Sequence, residues 1–227
     1  MEHSKKRFFL ITLLVSLLLG SASLSFYSCD NSICENDYSD NVLQPTVCIN
    51  SSLTPDEYNN IVNSISNKIK YSTRSLGYEV TENEAKEILS PLITNGQQIQ
   101  QQFLEFKDTL ELTDEEVLIV ENLTEAQLAE LSFTLNTIYN DAVETESISS
   151  EDIIECLKYA TGIEDLLDFL QAVGEAESIK NIYQGTKMLM TAKTTKQIIR
   201  ALARRTMGYA AIVWMVYDFG DCINKRK

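Results

Sequence analysis

The sequence predicts an all-α protein, a helical bundle of about eight to nine short helices built either as one body or as two subdomains. Three observations lead there. Helix breakers are scarce, with 3 prolines and 8 glycines in 227 residues. Helix starts recur with one grammar: Thr54-Pro-Asp-Glu57, Thr81-Glu-Asn-Glu84, Thr113-Asp-Glu-Glu116, Thr124-Glu-Ala-Gln127 and Thr161-Gly-Ile-Glu164 all fit the capping box. In that motif the Thr hydroxyl accepts the amide proton three residues on, and the Glu or Gln reaches back to the Thr amide. Apolar residues recur at helical spacing, while strand-like alternation is scarce.

The first element is not part of the fold. Lys5-Lys6-Arg7 precedes an apolar run from Phe8 to Leu19. A short cationic region before a short apolar run marks a secretory signal over residues 1–28, and the run falls short of the roughly 20 residues of a spanning helix. Cleavage after Ala22 or Ser23 would release a periplasmic or secreted soluble chain. Alternatively, Phe26-Tyr27-Ser28-Cys29 acts as a loose lipobox and Cys29 carries lipid. The Ser-Cys-Asp reading at Ser28 to Asp30 resembles Bacteroidota-type exported lipoproteins, although Phe26-Tyr27 is bulkier than the strict box. The resemblance implies an outer-membrane or cell-surface lipoprotein held to the membrane through Cys29. The acidic stretch Asp30, Glu35, Asp37, Asp40 is similar to the surface-export signal of such proteins, and Asp108-Thr109-Leu110 to their short O-glycosylation triplet.

Cysteine parity agrees with lipidation. The five cysteines are Cys29, Cys34, Cys48, Cys156 and Cys222. With Cys29 lipidated, four remain for two disulfides in an oxidising compartment, in any of three pairings. Nearness in sequence favours Cys34 with Cys48, leaving Cys156 and Cys222 to bracket the C-terminal end.

Residues 29–52 read as a polar tether with a Cys loop, residues 53–147 as an acidic helical domain, and residues 148–227 as a cationic-tailed helical module. In the acidic domain helices are expected over 54–70, 81–90, 91–107, 113–121 and 124–142, with Pro91 separating the second and third. Pro55 suits a first helical position, and the acidic first turns suit the helix dipoles. Leu53, Leu112 and Leu123 find staple partners in Tyr58, Val117 and Leu128. Residues 144–150 are a polar joint. Helices then follow near 150–160, 162–173, 177–191 and 194–218, with Ile179, Tyr183, Met188 and Met190 supplying apolar faces at helical spacing.

Charge divides along the chain. Residues 29–175 hold 29 Asp and Glu against 6 Lys and Arg, whereas residues 176–227 hold 3 against 10. Lys193, Lys196, Arg200 and Arg204 fall on one helical stripe. From Met207 to Tyr217 the sequence is apolar nearly all round and must be buried in protein or lipid. Its length, about 16 Å as a helix, is half a bilayer core. Tyr209, Trp214 and Tyr217 carry rings favoured at membrane interfaces. The stripe and these rings are therefore candidate contacts with a lipid surface or a partner protein. The competing expectation is a central core helix stapled by Cys156–Cys222; enclosure of Ile212, Trp214 and Met215 by other helices would favour it.

Several chemistries are excluded. His3, in the signal, is the chain's only histidine. Ser-His-Asp and Cys-His catalysis and His-containing zinc sites are therefore not expected in the mature chain. Neither a phosphate-binding loop nor a dinucleotide fingerprint occurs, and no calcium loop. No catalytic residue, metal or cofactor is assigned, and no enzyme is expected. A net charge of −14 argues against a nucleic-acid partner.

The functional expectation is an exported, lipid-anchored cell-envelope protein with a non-catalytic binding role. The alternative starts from Glu155-Cys156 through Met207-Gly208-Tyr209 to Asp221-Cys222. This bracketed, small, apolar and cationic make-up resembles helical bacteriocin-like modules. It implies a precursor whose acidic body quiets the tail until a cut near residue 148 frees a membrane-active module. Against it, the joint lacks a double-Gly or dibasic processing site.

Overall fold

The computed structural model describes residues 46–72, 80–139, 150–162 and 187–226. The signal, Cys29, Cys34, the joint and the helix expected at 162–173 lie outside them. The architecture is all-α with a small strand pair. In chain order the elements are β1 (Thr46–Asn50), α1 (Pro55–Ser72), α2 (Glu82–Glu105), α3 (Asp114–Glu121), α4 (Glu125–Tyr139), α5 (Ser150–Thr161), β2 (Lys187–Thr191), α6 (Ala192–Ala203) and α7 (Tyr209–Arg226).

Helix α4 occupies the centre. Every residue from Leu128 to Thr137 is buried, with α2, α5, α6 and α7 packed around it. A close approach is at Gly96 of α2, where a Cβ would stand 2.1 Å from the Leu128 carbonyl oxygen. Helix α7 lies across α1, α2, α4 and α5. Its Phe219 ring meets Phe133 of α4 edge-on at 5.5 Å, and at Gly220 a Cβ would stand 2.2 Å from Ser66 Oγ of α1.

The caps are local and match the grammar in part. Thr54 with Glu57, Thr113 with Glu116 and Thr124 with Gln127 each form both reciprocal bonds. Thr81 caps the Glu84 amide, while the Glu84 carboxylate pairs with Lys68 at 3.1 Å. Thr161, whose expected helix lies outside the described residues, ends the helix before it. It is the last residue of α5, its hydroxyl donating to the Leu157 carbonyl, and Gly162 follows at φ 63. A left-handed residue after the last turn is a common helix stop.

Four expectations are corrected. Pro91 does not divide a helix, because α2 runs through it. Pro91 and Glu87, whose carbonyl loses its usual donor, are both exposed, so water can satisfy that carbonyl. Residues 46–50 are a strand rather than tether, and Lys187–Thr191 a strand rather than helix. They pair antiparallel with Val47 opposite Met190 and Ile49 opposite Met188. These four side chains share one face of the ribbon, and all four are buried. Gln102 of α2 closes the outer edge of β1, bonding the Asn50 amide and carbonyl at 2.7 and 2.8 Å. The helix expected at 194–218 is two, α6 and α7, parted at residues 204–208. Glu82 of α2 supplies the second start: its carboxylate accepts from the Tyr209 amide at 2.8 Å and the Ala210 amide at 3.4 Å. A Cβ at Gly208 would stand 2.6 Å from that carboxylate. Beyond these corrections, the described parts of 53–147 and 148–227 both contribute to the core. Leu157, Ile212 and Val216 belong to one buried cluster with Ile65, Leu89 and Phe133.

The Gly96 contact yields a stability prediction. Gly96→Ala pushes a methyl into the Leu128 backbone and should cost about 3 kcal/mol, the upper range for overpacking. Gly162→Ala, with nothing within 4 Å of its Cβ among the described residues, should cost only about 1 kcal/mol for its left-handed backbone. Urea-unfolding midpoints measure both, and equal losses would contradict the close approach.

Candidate interaction surface

A buried polar network seats β1 and α1 on the central helix. Asn95 Oδ1 accepts from the Ser52 amide at 2.7 Å, and Asn95 Nδ2 donates to Ser132 Oγ at 2.8 Å. The Ser51 hydroxyl lies 2.9 Å from Asn136 Oδ1. The Tyr58 hydroxyl bonds Thr137, whose own hydroxyl donates to the Phe133 carbonyl at 2.8 Å. Burial pushes the Tyr58 phenol far above its usual range. Satisfying buried polar groups in this way ties the N-terminal turn to one register.

The basic stripe meets the acidic body. Glu116 is buried at the start of α3. One of its oxygens takes the Thr113 amide at 3.0 Å, and the other takes Arg200 Nη2 of α6 at 3.0 Å. Burial raises the Glu116 pKa, but the Thr113 bonds, then Arg200 and Lys196, outweigh it and leave it lowered. Lys193 and Arg204 are exposed, and Lys196 is half-buried.

The elbow between α6 and α7 docks on α4. Gln127 Nε2 donates to the Leu202 and Arg205 carbonyls at 2.8 and 2.9 Å. Arg205 Nε stands 2.9 Å from Glu130 Oε1, and the Glu130 side chain is wholly buried. Neither Glu130 oxygen has an aligned hydrogen-bond donor among the described residues, so the contact is an ion pair only. Burial raises the Glu130 pKa, and Arg205 opposes that in part.

Tyr209 opens α7 in a small polar cluster. Its hydroxyl donates to Glu125 Oε2 at 2.6 Å, and Lys86 Nζ sits 2.5 Å from the same oxygen. Lys86 also stands 5.6 Å over the Tyr209 ring. The Lys86 hydrogen bond, then that of Tyr209, holds Glu125 below the usual carboxylate range.

The apolar tail is core. Ile212 and Val213 have no exposed surface and Met215 has 3 %. Trp214 and Tyr217 are half-buried, with perpendicular rings 5.6 Å apart. Cys156–Cys222 joins α5 to α7, and Arg226 bonds Asp152 and Glu155 on α5. The helix is thus stapled and packed as the core expectation had it, but the central position belongs to α4. Cys48 is disulfide-bonded too, and its partner lies outside the described residues.

The structure brings Lys196 and Arg200 together on Glu116 and places Trp214 beside Tyr217. Tyr209 stands apart, at the other end of α7 from the disulfide. Glu82, Glu130 and Gln127 were missed as a site because their partners are distant in sequence; a capping residue with a second use, as at Glu116 and Gln127, carries no local mark. Thr109 is exposed in the turn after α2, while Leu110 is buried. Among the described residues no group of three or more His, Cys, Asp or Glu is placed to hold a metal ion, and no helix is long and apolar enough to cross a membrane. No family model, no curated protein and no solved structure matches the chain.

Glu130 predicts a pH dependence. Its folded carboxyl titrates above its unfolded value, so its contribution is fully present below the ordinary glutamate range and is lost as pH rises through the raised value. Glu130→Gln stays neutral. It should melt higher than the parent by a margin that is smallest near about pH 4 and widens toward about pH 8. A series of thermal melts across that range measures the margin, and a flat one would contradict the assignment.

Proposed function

We propose that this is an exported helical protein of the cell envelope, anchored by lipid on Cys29, which acts by binding a partner rather than by catalysis. The observation that carries the binding role is the docking of α7. Its apolar side is spent on the core, and its remaining face presents Trp214 and Tyr217. Exposed or half-exposed Trp and Tyr are the side chains most enriched where partners bind tightly. Cysteine use supports the anchor. With Cys156 bonded to Cys222 and Cys48 bonded outside the described residues, Cys29 and Cys34 supply one partner and leave one thiol over. Pairing of Cys34 with Cys48 leaves Cys29 for lipid. Metabolic labelling with palmitate tests the anchor: the parent should take label and Cys29→Ala should take none. Label on Cys29→Ala, or an unlabelled parent, would end this reading.

One observation favours the second reading, the latent membrane-active module. The acidic body holds the C-terminal helices by Arg200 on Glu116, Arg205 near Glu130, and the Glu82 cap on α7. A quieted tail would be held in this way. The shared core weighs against it, because freeing residues 148–227 strips α7 from α1 and α2 and exposes their apolar faces too. In a dye-leakage assay on phosphatidylglycerol vesicles, the intact mature chain is expected to be inert before and after limited proteolysis. Leakage appearing only after cleavage would support the latent module instead.

A further inference from the structure

Helix α7 has one face the core does not use. Ile212, Val213, Met215, Val216, Phe219, Gly220 and Ile223 turn inward and are buried. Trp214, Tyr217, Asp218, Asp221 and Lys225 follow one another at helical spacing on the outer side. The first four are half-buried and Lys225 is exposed. The Cys156–Cys222 bridge fixes α5 alongside, so Tyr159, three residues after Cys156, is held at this edge with 72 % of its surface exposed. Lys225 feels both Tyr159 and Tyr217 electrostatically.

The charges on this face do not balance. Lys225 is taken by Asp221 at 2.6 Å. Asp218 receives no hydrogen bond and no ion pair among the described residues. Burial, then the neighbouring Asp221, pushes its carboxyl up, and Lys225 offsets only part of that. Two aromatic rings thus share this face with a partly desolvated carboxylate that Lys225, paired with Asp221, offsets only in part. A cation answers both: it is attracted to ring faces and gains when it pairs with a carboxylate away from water. A neutral sugar would leave the two carboxylates repelling each other, and an anionic lipid or nucleic acid would add to the repulsion.

We propose that the outer face of α7, with Tyr159 of α5, docks a basic polypeptide segment, seating an arginine or lysine side chain on Trp214 and Tyr217 and against Asp218. This rests on the binding role proposed above and names its partner class. Arginine suits the face best, since a planar guanidinium can stack on a ring and pair with a carboxylate together. The net charge of −14 draws such a partner in at long range. The acidic body is then a steering field, and the α7 face is where the partner lands.

Trp214 is the chain's only tryptophan, so its fluorescence reads this face alone. The oxidised mature chain is titrated with hexa-arginine, hexa-glutamate, a neutral hexasaccharide and phosphatidylcholine vesicles. Hexa-arginine should change the Trp214 emission saturably, and the other three should not. Asp218→Asn should raise the hexa-arginine Kd about tenfold, the loss of one desolvated charge pair. Glu121→Gln, an equal charge change on exposed α3, should shift it less than about twofold, as expected for a screened surface charge. Tyr159→Ala should weaken binding and Tyr159→Phe restore most of it. Far-UV circular dichroism checks each variant's fold. Equal losses from Asp218→Asn and Glu121→Gln would mean diffuse attraction and overturn the proposal, as would a silent Trp214. A response to the sugar or vesicles in place of hexa-arginine overturns the partner class but leaves the binding role standing. Silence in all four arms removes the binding role of this face as well.

Discussion

A helix buried on every side imposes a demand on everything around it. Ten consecutive residues of α4, Leu128 to Thr137, are buried, among them Glu130, Ser132, Thr134, Asn136 and Thr137. Apolar residues there need only be covered, whereas a buried polar one is costly without a partner; Thr134 Oγ1 has none among the described residues, and the other four each face one. Ser132 draws Asn95 from α2, Asn136 draws Ser51 from the turn after β1, Thr137 draws Tyr58 from α1, and Glu130 draws Arg205 from the α6–α7 elbow. Four separate segments are thereby fixed against α4 by groups that would be costly to leave unmet. The approach of α2 at Gly96 follows from the same crowding.

The divided charge of the chain reads differently in this frame. The basic C-terminal quarter does not stand off from the acidic body. Arg200, Arg205 and Arg226 find carboxylates at Glu116, Glu130, Asp152 and Glu155, and the N-terminus of α7 is itself met by Glu82. These pairs are unequal. Arg200 keeps most of its side chain in water, so its pair with Glu116 contributes little. Glu130 is wholly enclosed, and the loss of hydration it suffers can exceed what Arg205 returns. Its geometric effect is to hold the elbow against α4.

What the sequence shows of this fold is what it encodes locally. The complete caps at Thr54, Thr113 and Thr124 are set by residues three apart, and the helices they open were legible for that reason. Thr161 carries the same letters and closes α5, with Gly162 in the left-handed turn after it. The strands escaped because a five-residue ribbon is specified by its partner, and β1 and β2 lie more than a hundred residues apart. Met188 and Met190, two residues apart, share a strand face and not a helical one, but two residues alone do not specify a strand until that pairing is known. The break before α7 was hidden similarly, since its cap, Glu82, comes from another helix. In the candidate site the rings Trp214 and Tyr217 and the bracketing cysteines were legible; the unpaired state of Asp218 was not, because it depends on Lys225 choosing Asp221.

The order in which the chain emerges during synthesis carries a consequence. Helix α7 is the last element, and it covers parts of α1, α2, α4 and α5; β2, also late, is what β1 needs to be a strand. The Cys156–Cys222 bridge closes across a separation of 66 residues, which restrains the unfolded chain by about 4 kcal/mol on a chain-entropy account. No N-terminal portion therefore has a complete core of its own. A chain cut short before α7 would carry uncovered apolar surface along α1, α2, α4 and α5 for proteases to find.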